Sequence, residues 1–184
     1  ESIVKAGNFR IFTNKDKPDP QDPYSRSKLA AENIIRGSGQ PWVIIRTNVL
    51  YGNSFINKAS FVKWVTDSLS QQKKISVVDD QFGNPTWTGA LSEAIKLSMI
   101  MNVNEILNYG GSEFISRFEF AKKIAKIFGL NSSLISPIKT RDLNQIAKRP
   151  LKSGLITSKI ENILGVRTFG LDYCLSKMRD GIIT

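Results

Sequence analysis

Asp22-Pro23-Tyr24-Ser25-Arg26-Ser27-Lys28-Leu29-Ala30-Ala31-Glu32 is the stretch on which the reading of this chain turns. Pro23 pre-sets the backbone for a first helical turn. The segment predicts a helix from about Tyr24 to Ile35, closing at Gly37, with Leu29, Ala30, Asn33 and Ile34 as its buried stripe. On such a helix Tyr24 and Lys28, four positions apart, share a face with Cβ atoms about 5–6 Å apart. An ammonium beside a phenol favours the phenolate, which is what a proton-transferring tyrosine requires. The chain contains no histidine, so the usual neutral-pH proton shuttle is missing and a tuned tyrosine gains weight. The same spacing also occurs by chance on solvated helices, so its meaning depends on what surrounds it.

Outward from this helix, Pro41 to Thr47 is apolar and β-branched and predicts a buried parallel strand. Ligands of open parallel sheets gather beyond the carboxyl ends of strands. Arg46, Thr47, Asn48 and Val49 are therefore expected at a ligand; an ordinary salt bridge at a strand end is the alternative for Arg46-Thr47. Helices are expected at about Ala59–Ser70, Gly89–Met101 and Arg117–Phe128, the last with Ser116 as N-cap and Glu119 completing a capping box. Two small helices follow near Ser158–Leu164 and Leu171–Arg179, with strands at Ile75–Val78 and Glu105–Tyr109. Residues 1–22 read as loop.

Composition narrows the class. The 184 residues suffice for one sizeable core or two small ones. Cys174 is the one cysteine, so neither a disulfide framework nor a cysteine metal site is expected, and without histidine no transition-metal centre is expected either. No apolar stretch has the length of a membrane span and no signal peptide opens the chain, so the expected compartment is the cytoplasm, with no membrane partner. The net charge of +10 invites a nucleic-acid partner, but the cations are spread along the chain without interleaved aromatics, and none is expected. A basic cleft that attracts phosphate-bearing ligands is the reading that fits.

Four blocks in order then carry a family resemblance. They are Tyr24 to Glu32; Ile45-Arg46-Thr47-Asn48-Val49-Leu50-Tyr51-Gly52; Val77-Val78-Asp79-Asp80-Gln81-Phe82-Gly83-Asn84-Pro85-Thr86; and Arg149-Pro150 followed by Thr157-Ser158-Lys159. From Asp22 onward the chain resembles the extended short-chain dehydrogenase/reductase superfamily, and within it the dTDP-4-dehydrorhamnose reductase family. The resemblance implies an α/β fold: the C-terminal part of a Rossmann-like doubly wound parallel sheet plus a smaller α+β substrate domain. Residues 1–52 and 87–111 would belong to the NAD(P)-binding unit, and 53–86 and 112–184 to the substrate unit.

The resemblance also implies roles. Tyr24 and Lys28 would be catalytic, with NADPH or NADH as cofactor held by Tyr24, Lys28, Arg46, Thr47, Asn48 and Val49. Gln81, Pro85, Thr86 and Arg149 would contact a nucleotide-sugar substrate, with Arg149 on the diphosphate. The Asp79–Thr86 segment is equally a turn built on Gly83, Asn84 and Pro85, and Arg149 equally a surface arginine. The implied reaction is hydride transfer to the 4-keto carbon of a dTDP-6-deoxysugar with tyrosine as proton donor. An epimerase or dehydratase of the superfamily is the alternative, as is a non-catalytic subunit resembling the regulatory subunit of methionine adenosyltransferase. A homodimer is compatible with either.

Departures are informative. Where the family commonly reads Arg-Thr-Ser-Trp-Val-Tyr-Gly, this chain has Val49 in place of the tryptophan, which puts the sugar in question. Its Leu155-Ile156-Thr157-Ser158-Lys159 lacks the family's usual aspartate. The glycine-rich dinucleotide fingerprint and the serine or threonine hydroxyl of the family's site find no match here. The expectation is a C-terminal portion of a longer enzyme, inactive in isolation.

Overall fold

The computed structural model describes residues 11–52, 60–143 and 150–181. Strands β1 (Ile11–Phe12), β2 (Ile44–Arg46), β3 (Leu50–Tyr51), β4 (Ile75–Val78) and β5 (Phe82–Gly83) are followed by β6 (Thr86–Trp87), β7 (Ile106–Asn108), β8 (Ile115–Ser116), β9 (Ile135–Ile138) and β10 (Lys152–Leu155). Among them lie α1 (Pro23–Arg36), α2 (Phe61–Ser70), α3 (Thr88–Ile100), α4 (Arg117–Ile127), α5 (Ser158–Leu164) and α6 (Leu171–Arg179). The fold is α/β with parallel pairing: β2 with β7, β3 with β6, β4 with β9, and β10 between β1 and β5. Among the described strands only β5 and β8 run antiparallel. Parallel neighbours require long crossovers, which is why each pair joins segments remote in sequence.

Two apolar clusters hold these layers. In the larger, Val62, Val65 and Leu69 of α2 meet Phe120 and Ile124 of α4 and Leu175 of α6 beneath β4 and β9. Each such buried side chain contributes about 1.5–3 kcal/mol. In the smaller, Leu91 and Ala94 of α3 and Leu107 of β7 meet Ile160 and Leu164 of α5. Late elements are thus fastened to earlier ones: β10 pairs with β1, and α5 packs on α3 and β7.

Several expectations are corrected here. The stretch 1–22 contains β1, a two-residue strand whose place is set by its partner Gly154-Leu155 and not by any periodicity of its own. The expected strand from Pro41 is three residues long, and its Ile44 alone is buried. The stripe expected on α1 is not the one that packs: Ile34 is 74% exposed, whereas Ser25 and Glu32 are buried. Polar bonding, described below, orients this helix in place of apolar burial. The helix expected from Ala59 begins at Phe61, residue 59 itself lying outside the described residues.

Gly110 and Gly111, which follow β7, are explained by close approach. A Cβ on Gly111 would sit 2.2 Å from the Pro85 carbonyl oxygen, and one on Gly110 would sit 2.9 Å from the Asn84 Cβ. Only glycine lets the end of β7 lie against the 84–85 turn.

Candidate active site

The start of α1 is pinned by a reciprocal cap. Asp22 accepts from the Ser25 N–H at 2.8 Å, and the Ser25 hydroxyl oxygen accepts from the Asp22 N–H. That places Tyr24 in the first turn and Lys28 one turn on, with the Lys28 Nζ 5.3 Å from the Tyr24 ring centroid. Glu32 continues the same stripe another four positions along. Its carboxylate accepts two bonds from Arg46, from Nε at 2.9 Å and from Nη2 at 2.7 Å, with side-chain exposures of 8% and 9%. This fork-to-fork pair ties α1 to the end of β2 and so sets the rotation of the face that carries Tyr24 and Lys28.

Tyr24 and Lys28 border a cavity of about 380 Å³ whose lining also includes Phe12, Arg46, Thr47 and Ser153. The Thr47 hydroxyl is buried there with no hydrogen-bond partner among the described residues. Asn48 borders the same cavity, but its side chain is used internally: Nδ2 donates to the Ser153 carbonyl and Oδ1 accepts from the Asn84 N–H. Asn84 in turn donates to the Gly111 carbonyl and accepts from the Leu155 N–H at 2.8 Å. This knot of two asparagines ties residues at or beside β2, β5, β7 and β10 together, since each amide both donates and accepts across elements.

Val49 does not share the Tyr24 cavity. Its φ is +46°, a left-handed backbone costing roughly 1–3 kcal/mol at a β-branched residue. The turn carries it into a second cavity of about 430 Å³. Gln81 and Pro85 line this second cavity as well, Gln81 donating to the Thr140 hydroxyl at 3.0 Å. Thr86, expected at the substrate, is fully buried and donates to the Asn84 carbonyl, while its N–H bonds the Val49 carbonyl. The tight β3–β6 pair consumes it. Arg149 lies outside the described residues, although its neighbour Pro150 lines the second cavity. The two cavities adjoin at Ser153, which borders both and donates its hydroxyl to the Phe82 carbonyl.

Sequence reasoning missed Ser153 and Glu32, and also Trp64 and Arg117, which line the second cavity. Trp64 had a usable signal, being a large apolar residue off the buried face of α2. Ser153 had none, because its place between the cavities comes from strand pairing. Among the described residues no group of histidine, cysteine or acidic side chains could hold a metal ion, and no helix is long and apolar enough to cross a membrane.

Parallel strands whose carboxyl ends face a tyrosine–lysine pair, with a second cavity alongside, define a protein of the short-chain dehydrogenase/reductase type. The chain belongs to the family described as the RmlD substrate binding domain, which matches residues 4–179. It is 31% identical over 165 residues to spore coat polysaccharide biosynthesis protein SpsK of Bacillus subtilis, covering 90% of this chain and 56% of that one. It is 27% identical over 186 residues to a dTDP-4-dehydrorhamnose reductase of Aggregatibacter actinomycetemcomitans, covering 95% and 61%. It is also 27% identical over 172 residues to methionine adenosyltransferase 2 subunit beta of Rattus norvegicus, covering 90% and 51%. The crystal structure of dTDP-4-dehydrorhamnose reductase from Bacillus anthracis in complex with NADP superposes with a TM-score of 0.89 at 25% identity, over 98% of this chain and 63% of that one. The chain thus spans little more than half the length of the relatives it matches.

Proposed function

We propose that this chain carries the catalytic pair and the substrate cavity of a nucleotide-sugar 4-ketoreductase. The observation that carries the proposal is the Lys28 ammonium 5.3 Å from the Tyr24 ring, at a cavity that meets a second one at Ser153. Similarity to dTDP-4-dehydrorhamnose reductases supports the same reading. NADPH or NADH, when bound, supplies the hydride that reduces the ketone carbon. The first cavity suits the nicotinamide-ribose end of such a cofactor, because the orphaned Thr47 hydroxyl and the Lys28 ammonium offer polar partners to ribose hydroxyls. Tyr24 gives its proton to the ketone oxygen as negative charge develops there, and Lys28 stabilises the charge left on the phenol. Arg46, committed to Glu32, acts by holding α1 in place. Gln81 and Pro85 close the sugar side, and Val49 sets the space there.

In this proposal, 1–52 with 87–111 form the cofactor unit and 53–86 with 112–184 the substrate unit, fastened by β10 and α5. Tyr24→Phe in the full-length enzyme abolishes turnover and leaves NADPH affinity within about twofold, since only the proton donor is removed. Unchanged turnover would sink the assignment. Stoichiometric consumption of NADPH separates reduction from epimerisation or dehydration, which regenerate their cofactor. Resemblance to the methionine adenosyltransferase subunit favours a second, non-catalytic reading, tested by asking whether a synthetase co-purifies with the full-length protein.

A further inference from the structure

Strands β4 and β9 stay paired as far as Val78 and Ile138, and the segments that leave them remain latched. The Asp79 N–H donates to the Ile138 carbonyl at 3.0 Å, and Lys139 Nζ donates to the Asp79 carboxylate at 2.9 Å. One residue further on, the Asp80 carboxylate accepts from both the N–H and the hydroxyl of Thr140, the hydroxyl at 2.6 Å. Thr140 Oγ1 in turn accepts from Gln81 Nε2 at 3.0 Å. The main chain around Gln81 is tied down as well: its carbonyl accepts from the Arg117 N–H at 2.9 Å, and the Phe82 N–H donates to the Leu151 carbonyl at 2.7 Å. Gln81 lines the second cavity, whereas Asp80 and Thr140 line neither cavity.

Proton count fixes the direction of this chain of bonds. A carboxylate only accepts, and a hydroxyl has one proton to give. The 2.6 Å separation between the Thr140 and Asp80 oxygens is that of a charge-assisted bond, so the Thr140 proton is spent on Asp80. What Thr140 offers Gln81 is therefore a lone pair, and only the amide NH2 can donate to it. Amide oxygen and nitrogen are nearly alike in shape, and a network of this kind decides which way round the group sits. The Gln81 Oε1 is left over: it makes no hydrogen bond among the described residues, and it is not one of the side-chain atoms sealed from solvent without a partner.

The geometry points to Asp80 and Thr140 as positioning residues that fix the polarity of the Gln81 amide, so that a carbonyl oxygen is presented to the second cavity and takes a hydroxyl donor of its ligand. An amide free to turn over would meet a hydroxyl, a ketone or a phosphate oxygen equally well, as donor or as acceptor. Locked in one sense, its oxygen repels ketone and phosphate oxygens and favours a hydroxyl. Specificity at Gln81 is thus set by two side chains that do not touch the ligand. The inference rests on the ketoreductase reading for the identity of that ligand as a sugar, and deepens it by setting a sugar hydroxyl, and neither the ketone nor the diphosphate, against Gln81.

Nuclear magnetic resonance of the full-length protein, labelled with nitrogen-15 in glutamine alone, tests the lock without any ligand. The Gln81 side-chain amide, identified by its loss in Gln81→Met, has protons shifted and slowed in exchange relative to those of the exposed Gln71 and Gln72. Thr140→Val returns them to the values of an exposed glutamine, while Thr140→Ser, which keeps the hydroxyl, retains the wild-type signature. Calorimetric titration with dTDP-glucose and with dTDP reads the consequence. Thr140→Val and Gln81→Met each weaken dTDP-glucose about three- to tenfold, the size of one net hydrogen bond, and leave dTDP, which lacks the sugar, within about twofold. Thr140→Ser stays within about twofold of wild type for both ligands. Circular dichroism melts confirm that each variant is folded. Gln81 amide protons that match those of Gln71 and Gln72 in the wild type overturn the inference. So does a wild-type protein that binds dTDP-glucose no better than dTDP, or a Thr140→Val variant that loses nothing or loses both ligands equally. The ketoreductase reading fails separately, if Tyr24→Phe leaves turnover of the full-length enzyme intact while dTDP-glucose binding still depends on Thr140.

Discussion

Glu32→Gln should destabilise the chain by about 3 kcal/mol, the lower end of the cost of removing one partner from a buried ion pair. The magnitude follows from the geometry. Arg46 donates to both carboxylate oxygens, at 2.9 and 2.7 Å, and the two side chains are only 9% and 8% exposed. Glutamine keeps the volume and one acceptor oxygen but removes the charge, leaving a guanidinium poorly solvated and unneutralised. Urea unfolding of wild type, Glu32→Gln, Arg46→Met and the double variant measures this. The double variant should cost less than the sum of the singles, since removing both charges abolishes the uncompensated one. The midpoint of thermal unfolding of Glu32→Gln should fall by roughly 6–12 °C for a chain of this size. A loss under about 1 kcal/mol, the level of an exposed pair, would refute the claim that this clamp orients α1. So would strict additivity of the two single variants.

Two other predictions rest on the packing. Tyr51 and Tyr109, both buried, have their phenols held protonated to higher pH by burial, Tyr51 with help from the nearby Cys174 thiol and Tyr109 pushed up to about 12 from an ordinary 10.0. The Cys174 thiol is pushed up by burial as well. Above pH 10 the unfolded chain releases phenolic protons that the folded chain retains, so this stabilising contribution is complete below pH 10 and declines above it. The slope is about 1.4 kcal/mol per pH unit per tyrosine, and alkaline urea titrations of Tyr51→Phe should show a shallower decline than wild type. Gly111→Ala should cost about 1–3 kcal/mol, because its Cβ would meet the Pro85 carbonyl oxygen at 2.2 Å; a variant as stable as wild type by urea unfolding would show that the 84–85 turn yields freely.

The legibility of this chain was uneven for physical reasons. Helices α4, α5 and α6 begin where the sequence predicts, because caps and apolar periodicity act over one or two turns; Ser116 accepts from the Glu119 N–H as an N-cap should. Strand β4 was legible as a short β-branched run, whereas β1, β3, β6 and β8 are two residues each and carry no periodicity. The apolar stripe expected on α1 misled, since Glu32 finds its partner 14 residues away on β2 and that pairing outweighs the burial of Ile34. Asn48 and Thr86 were expected at ligands on the strength of their block, yet their side chains are spent within the fold.

Family membership, the α/β class and the Tyr24–Lys28 pair were all contained in the order of residues, for they depend on motifs and on contacts four positions apart. Which side chains share a cavity was decided only by the folded chain. Ser153 borders two cavities because β10 enters between β1 and β5, and Val49 lines the second and not the first because its backbone turns left-handed. Such placements come from pairing between segments well over a hundred residues apart, as Ile11 with Gly154, and no local pattern of residue types encodes the register of a parallel strand with so remote a neighbour.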